Sequence, residues 1–306
     1  MNLMGSSVKP IAVGGTPAAE VDQLARSLGC DRYDDHRKMS IDRPAAYLLL
    51  LNRGELTLQD FEVFASQGTT VLTLDPMASD LQELSALSQL STDTGEPGRF
   101  VHIPLFSQSP GYLATADPTE LLGDRRLVNF ISDGRPAHGS LFARLFDAWL
   151  AVLSFTLMPE MIDASLVGPT DDTPDDLREL TGILAAHARV SDAQSALIEV
   201  SDTAAHTARS LRVHGDSATL LVCDTSYKLL KADGETLDDM AGKDQPDGFA
   251  DLLAFQWRRI LDQPAVIRPA VPNERLAEAL ACCLACHLSI RTGQPESPAK
   301  LLQLNR

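Results

Sequence analysis

The chain has 306 residues, of which 44% are hydrophobic and 22% are charged, and its formal net charge is −16. This length allows two domains with buried cores. The acidic balance argues against nonspecific binding to nucleic acid, whose phosphates require clustered Lys and Arg. No apolar run approaches the ~20 residues of a membrane helix, and no secretory signal is visible, so we expect a cytoplasmic protein without a membrane partner.

The first third of the chain reads as alternating strands and helices. Residues 10–13 predict a short strand that ends at Gly14-Gly15, and Thr16-Pro17 suits the start of a helix that ends at Gly29. The following elements are predicted as a strand over 45–51, a helix over 58–67, a strand over 70–74 and a helix that opens at Ser79. The strand over 45–51 is apolar throughout, which is typical of a strand buried on both faces. The alternation predicts a doubly wound parallel sheet.

A stretch rich in Ser, Thr, Gly and Pro over 91–98 marks a predicted domain boundary. We therefore assign 1–93 to a Rossmann-like domain and 94–306 to a second domain. The second domain is predicted to contain helices over 139–157, 175–186 and 273–291, and strands over 161–167, 196–201, 205–214 and 218–223. Gly215-Asp216 and Asp233-Gly234 suit hairpin turns. The pattern predicts an antiparallel sheet with helices on one face.

Four segments in this order resemble landmarks of the Gfo/Idh/MocA oxidoreductases. They are 25–35 (ARSLGCDRYDD), 68–78 (GTTVLTLDPMA), 215–220 (GDSATL) and 288–298 (LSIRTGQPESP). The resemblance implies an α/β protein: a truncated Rossmann-like parallel-sheet domain, then an α+β domain with a large, mostly antiparallel open sheet. It further implies descent from NAD(P)-dependent dehydrogenases of sugars or polyols, a sugar-like small-molecule ligand, and a homo-oligomer formed through the second sheet.

The dinucleotide fingerprint of that family is not present in its usual form. G-x-G-x-x-G glycines let the backbone approach the pyrophosphate, whereas Gly14-Gly15-Thr16-Pro17 does not supply this pattern and Pro17 lacks an N–H. The match over 25–35 predicts that strand 10–13 corresponds to the family's second strand and that the first βα unit is absent. Gly14, Gly15 and Pro76 are the remaining candidate cofactor positions. NAD(P) is implied by the resemblance only, and no cofactor is firmly predicted.

The family's catalytic residues are also replaced. Its Glu-Lys-Pro turn, whose lysine contacts nicotinamide and substrate, reads Leu74-Asp75-Pro76 here. Its Asp-x-x-x-His-x-x-Asp helix, a spacing that puts the side chains on one face, falls on Ser140, Arg144 and Asp147. A guanidinium stays protonated near neutral pH and cannot act as a general acid or base. Among these cleft positions only Asp147 is retained, which predicts atypical or absent redox chemistry.

Three functions stay open on the sequence. The first is an atypical or inactive oxidoreductase that binds a sugar-like ligand in its interdomain cleft. The second is a non-catalytic interaction or ligand-binding subunit that works through the open sheet. The third is a lyase or hydrolase that uses the carboxylates of Asp75 and Asp147 as an acid–base pair.

Two further motifs have simpler interpretations. Residues 283–287 match the haem-attachment pattern C-x-x-C-H, but they fall within a predicted amphipathic helix over 276–289, where cysteines pack like alanines. A zinc site from Cys282, Cys283, Cys286 and His287 would need a further ligand pair from elsewhere, so no metal is predicted. Arg125-Arg126 and Trp257-Arg258-Arg259 are interpreted as solvated helix or turn faces rather than anion sites.

Overall fold

The computed structural model describes residues 11–14, 18–33, 46–52, 56–93, 100–115, 118–169, 173–241, 249–262 and 273–304. The chain forms two compact units. The first comprises 1–78, 83–103 and 246–270, and the second comprises 79–82, 104–245 and 271–306. The predicted boundary lies between residues 93 and 94. In the structure the first unit extends to Ile103 and includes 246–270, and the main part of the second unit begins at Pro104. The predicted turn residues Gly15, Thr16 and Pro17 lie outside the described residues.

The described sheet of the first unit is wholly parallel, as predicted. Its strands are β1 (Ile11–Gly14), β2 (Asp31–Arg32), β3 (Tyr47–Leu50), β4 (Thr70–Thr73) and β5 (Phe100–His102), and helices of this region are α1 (Ala18–Leu28), α2 (Leu58–Ser66) and α3 (Leu81–Asp93). The strand order is β2-β1-β3-β4-β5. Leu48, Leu49 and Leu50 are completely buried, which confirms an interior strand covered on both faces.

The strand order fits the predicted absence of the first βα unit. β1 pairs in parallel with β2 on one side and with β3 on the other. A complete dinucleotide-binding sheet has the order 3-2-1-4-5-6. Without its first strand this order becomes 3-2-4-5-6, which corresponds to the described order β2-β1-β3-β4-β5.

The sheet of the second unit has eight described strands. They are β6 (Arg125–Asp133), β7 (Met161–Val167), β8 (Ile183–Ser191), β9 (Gln194–Ser201), β10 (Ala208–Gly215), β11 (Ala218–Cys223), β12 (Tyr227–Lys231) and β13 (Thr236–Met240). Their order is β13-β12-β11-β10-β6-β9-β8-β7, with β6–β9 as the parallel pair and antiparallel pairing elsewhere. Both predicted hairpins, β10–β11 and β12–β13, are confirmed, and so is the predicted α/β fold class.

The remaining helices are α4 (Pro110–Leu113), α5 (Leu141–Leu153), α6 (Phe249–Asp262), α7 (Asn273–Thr292) and α8 (Pro298–Leu304). α5 packs on β6 and β9, and α7 packs on α5 and β7. All thirteen residues of α5 are buried, so this helix forms the centre of the second core. Neither α7, the longest helix, nor any other helix in the described ranges is long and apolar enough to cross a membrane.

The predicted helix over 175–186 is wrong. The structure has one 3-10 turn, Leu177–Glu179, and then begins β8 at Ile183. Exposed and buried residues alternate strictly along β8, which is the period of a strand with one face on the core. The alanines of this segment, strong helix formers, concealed that alternation. Pairing with β7 and β9 on both sides decides the outcome.

The C-terminal landmark over 288–298 closes the β7 edge of the second sheet. Ile162 and Glu296 exchange backbone hydrogen bonds of 2.8 Å in both directions. The Ala164 N–H donates to the buried Ser289 Oγ at 3.0 Å. Unpaired edge strands tend to pair with other chains. The contacts of the C-terminal landmark occupy backbone groups of β7 that would otherwise be available for such pairing.

Candidate functional site

The Asp75-Pro76 turn lies at the carboxyl end of β4 in the first unit. The Thr73 hydroxyl donates to the Asp75 carbonyl oxygen at 3.0 Å. Burial lowers the pKa of His102, at the end of β5, to about 4, and a hydrogen bond to the Asp75 backbone opposes this in part. The Thr73 hydroxyl holds the backbone of the turn. Its conformation is therefore supported without the lysine that the resembling family places here.

Ser140 caps the helix that carries the other predicted site residues. Its Oγ accepts a hydrogen bond from the Ala143 N–H at 3.0 Å, and its backbone is extended, as an N-cap requires. Gly139 precedes it with a φ of 116°, a conformation that favours glycine. The hydroxyl thus stabilises the start of α5, whereas a carboxylate at this position is what the resemblance implied.

Arg144 is buried, with 6% of its surface exposed. Its guanidinium donates to four oxygens: Nη1 to Ser132 Oγ (3.4 Å) and the Asp133 carbonyl (3.3 Å), and Nη2 to the Arg135 and His138 carbonyls (both 3.2 Å). Burial, followed by repulsion from Arg209, lowers its pKa to about 10, so it stays protonated at neutral pH. Arg144 therefore ties the chain between β6 and α5 together.

Gly134 makes room for this guanidinium. A Cβ atom at Gly134 would stand 2.1 Å from Arg144 Nη2, far inside contact distance. The Gly134 N–H also donates to the Ser201 carbonyl at 3.0 Å. The buried position of the Arg144 guanidinium therefore requires glycine at position 134.

Asp147 lies one turn further along α5 and is also 6% exposed. The Phe106 N–H donates to its Oδ2 at 2.8 Å. Its Oδ1 is buried and has no hydrogen-bond partner among the described residues. Burial raises the pKa of this carboxyl to about 6, although Arg209 opposes the shift. Arg209 itself forms an ion pair with Asp224, with Nη2 2.9 Å from Oδ1.

The structure places Ser140, Arg144 and Asp147 on one helix, as their spacing predicted, and gives each side chain a partner within the second unit. Asp75 and Pro76 belong to the first unit, and Gly14 is buried at the end of β1. Sequence reasoning missed His102, Arg209 and Asp224. No motif marks these three, because they reach their partners only through strand pairing and packing.

The C-x-x-C-H motif lies inside α7, and the buried-helix interpretation is confirmed. Cys282, Cys283 and Cys286 are completely buried. Burial raises the pKa of all three thiols, that of Cys286 to about 12. His287 Nε2 lies 2.7 Å from the Pro174 carbonyl oxygen. Within the described ranges no cluster of three or more His, Cys, Asp or Glu side chains is placed to hold a metal.

The basic pairs have protein partners. Arg125 and Arg126 lie on β6 rather than on the predicted helix or turn. Arg126 forms a bidentate pair with Asp216 at 2.6 and 2.8 Å, and the Arg125 guanidinium stacks 5.8 Å from the Phe155 ring centre. On α6, Trp257 is completely buried and the exposed Arg258 donates to the Ser27 carbonyl.

The face of the second sheet opposite α5 and α7 carries an open depression of about 410 Å³ formed by β6, β7, β8 and β9. Its rim is mixed in chemistry, with Asp163, His187 and Glu199 beside apolar residues. Large apolar side chains are exposed on the same strands: Val167 (71%), Ile183 (42%) and Leu197 (39%). This combination is typical of a contact surface rather than an enclosed small-molecule pocket.

No protein-family model matches the chain, and no curated protein matches it. Solved structures do. An NAD-binding oxidoreductase from Klebsiella pneumoniae shares 11% identity, with a TM-score of 0.66 over 94% of this chain and 99% of that one. An oxidoreductase from Agrobacterium radiobacter, crystallised with NAD+, L-tartaric acid and magnesium, shares 10% identity, with a TM-score of 0.69 over 96% and 100%. A biliverdin reductase from Synechocystis, crystallised with biliverdin and NADP+, shares 13%, with a TM-score of 0.67 over 92% and 99%.

These matches confirm the resemblance to Gfo/Idh/MocA-type oxidoreductases at the level of the fold. Both units are covered, since the matched regions span nearly the whole of each chain. Identities of 10–13% leave the chemistry to be argued from the residues present, because one fold hosts many functions.

Proposed function

We propose that this chain is a cytoplasmic homologue of NAD(P)-dependent sugar or polyol dehydrogenases in which the hydride-transfer site has become a structural centre. One observation carries the proposal: the three side chains that match the family's catalytic positions, at the N-cap of α5 and on α5 itself, are all used inside the second unit. Ser140 caps the helix, Arg144 holds four oxygens, and Asp147 holds a backbone N–H.

The replaced residues cannot supply the chemistry of alcohol oxidation. That reaction needs a base whose pKa lies near the working pH, and the pKa of Arg144 is about 10. Asp75, where the family has lysine, brings a carboxylate in place of an ammonium group. A sugar-like molecule with several hydroxyls remains the ligand class that the resemblance favours, bound without oxidation.

The burial and the hydrogen bonding of Asp147 argue against the lyase or hydrolase hypothesis. A carboxyl with a pKa of about 6 suits acid–base work. Asp147, however, is 6% exposed, and one of its oxygens is taken by a backbone N–H. A substrate would have to displace the segment around Phe106 to reach it.

Calorimetric titration with NAD+, NADH, NADP+ and NADPH tests the proposal, together with a turnover assay on a panel of sugars and polyols. We expect no dinucleotide binding in the micromolar range and no reduction of NAD+ or NADP+. Asp75→Lys, which rebuilds the Lys-Pro turn, is the matched variant and should stay inactive because α5 lacks the partners. Micromolar binding with turnover by the wild type, or activity gained by Asp75→Lys alone, would contradict the proposal.

A second candidate function is that of an interaction subunit that forms a homo-oligomer through the open sheet. The exposed Val167, Ile183 and Leu197 around the depression favour it. Light scattering after size exclusion should show an oligomer that Leu197→Glu converts to monomer, since a charge in an apolar interface is costly. Leu304→Glu, at an exposed position on α8, is the matched control and should leave the mass unchanged. A monomeric wild type would remove this function.

A further inference from the structure

We propose that the second unit binds a free α-amino acid with a large apolar side chain, in a cavity between α7, α8 and the start of α3. The inference goes beyond the proposed function. The cavity shares no residue with the predicted site on α5, and binding there does not depend on whether a dinucleotide binds.

The cavity has a volume of about 410 Å³, which is within the range of small-molecule sites. All the residues that line it belong to the second unit, since the stretch 79–82 at the start of α3 is part of that unit. Its apolar wall consists of four leucines from three helices: Leu81, Leu284, Leu288 and Leu301. Leu81 is buried and the other three are half-buried. An aliphatic or aromatic side chain placed against this wall would be removed from water.

The part of the wall on α7 is one stripe of the helix. Its residues follow the spacing i, i+3, i+4 and i+7, which brings side chains to one face: Leu284, His287, Leu288 and Arg291. His287 is the histidine of the C-x-x-C-H motif, whereas the cysteines of that motif do not line the cavity. Because the stripe ends at an arginine, an apolar ligand that lies along α7 meets a guanidinium at one end.

Arg291 is the group that would bind a carboxylate. Its side chain is 46% exposed, and its Nη2 lies 2.9 Å from Oδ1 of Asp175, a side chain that is 89% exposed. An ion pair between exposed side chains adds little stability. A guanidinium has five N–H donors in a planar fork, so Arg291 can keep this contact and also donate to a ligand carboxylate.

Acceptors for an ammonium group line the same cavity. Asp80 contributes a carboxylate and Gln82 an amide oxygen. His287 Nε2 lies 2.7 Å from the Pro174 carbonyl oxygen. A carbonyl can only accept, so Nε2 carries the proton, and Nδ1 of a neutral ring is then an acceptor. A leucine wall with one cation and one carboxylate is complementary to a zwitterion, whereas a ligand with a single charge matches only one of them.

Ligand-observed NMR titration of the full chain with L-leucine tests the site. Two probes of the same shape each lack one charged group: 4-methylpentanoate has no ammonium, and 3-methylbutylamine has no carboxylate. We expect L-leucine to bind with a Kd below about 1 mM. Each probe should bind at least ~10-fold more weakly, since this is the usual cost of losing a hydrogen bond to a charged group.

Two substitutions assign the two charges to their residues. Arg291→Gln should weaken L-leucine binding at least ~10-fold and leave 3-methylbutylamine binding unchanged, and Asp80→Asn should weaken L-leucine similarly and leave 4-methylpentanoate unchanged. Both residues are exposed, so the variants should fold. Arg189→Gln is the matched control, because Arg189 is an exposed, ion-paired arginine on β8 and its loss should leave L-leucine binding unchanged.

Three results would each overturn the proposal. They are the absence of saturable L-leucine binding, an equal affinity for either singly charged probe, and an unchanged L-leucine affinity in Arg291→Gln. Equal binding of 4-methylpentanoate in particular would identify a site for apolar carboxylates instead of amino acids. Dinucleotides do not enter these titrations, so a failure here is separate from a failure of the proposed function.

Discussion

Arg144→His restores the residue type that the resembling family has at this position, and we expect the variant to lose stability without gaining activity. The guanidinium serves four oxygens, whereas an imidazolium has two N–H donors. At least two buried acceptors would lose their donor. Hydrogen bonds to charged groups contribute about 1.5–3 kcal/mol each, and lengths of 3.2–3.4 Å favour the lower end. The expected loss is about 3 kcal/mol.

The free energy of unfolding is measured by urea titration with tryptophan fluorescence as the probe, to which Trp149, buried on α5 itself, contributes. Arg189→His is the matched control: Arg189 is exposed on β8 and pairs with Glu160 at 3.4 Å, so its replacement should cost at most about 0.5 kcal/mol. A loss below ~1 kcal/mol for Arg144→His, or turnover of a polyol by this variant, would refute the reasoning.

Three further predictions follow from the described contacts. Gly134→Ala places a Cβ 2.1 Å from Arg144 Nη2 and should cost about 1–3 kcal/mol of unfolding free energy; wild-type stability would contradict this. His102 has a pKa of about 4 in the folded chain against 6.5 when solvated, so the first unit should lose about 3 kcal/mol as the pH falls from 7 to 4. His102→Gln should flatten that pH dependence, and an unchanged slope would argue against it. Ellman's reagent should modify only Cys30 and Cys223 in the native protein and all five cysteines after denaturation, because the other three are buried; a third native reaction would show that α7 opens.

Much of the fold follows from local patterns in the chain. The continuous apolar run over 45–51 predicted a strand covered on both faces, and Leu48–Leu50 are buried in the centre of the parallel sheet. Glycine–aspartate pairs located both hairpins of the second sheet. Turn chemistry and periodicity act over a few residues, so they can be read without knowledge of the partners.

The error in the second unit has its origin in long-range pairing. The start of β8 was predicted as part of a helix because alanines dominate the middle of this strand. Pairing with β7 and β9 decides the outcome. A propensity of a few tenths of a kcal/mol per residue is outweighed by ladders of hydrogen bonds on both sides of a strand.

By itself the sequence determined the fold class, and it predicts that Asp75 and Arg144 stand where the resemblance implies a lysine and a histidine. It also determined that Ser140, Arg144 and Asp147 share one face of a helix, since that depends only on the helical period. The tertiary structure decided what these side chains do. Gly134, Phe106 and the carbonyls after β6 reach α5 only when the sheet is assembled. The pKa of Asp147 and the occupation of Arg144 are therefore consequences of packing, which brings together groups that the chain keeps apart.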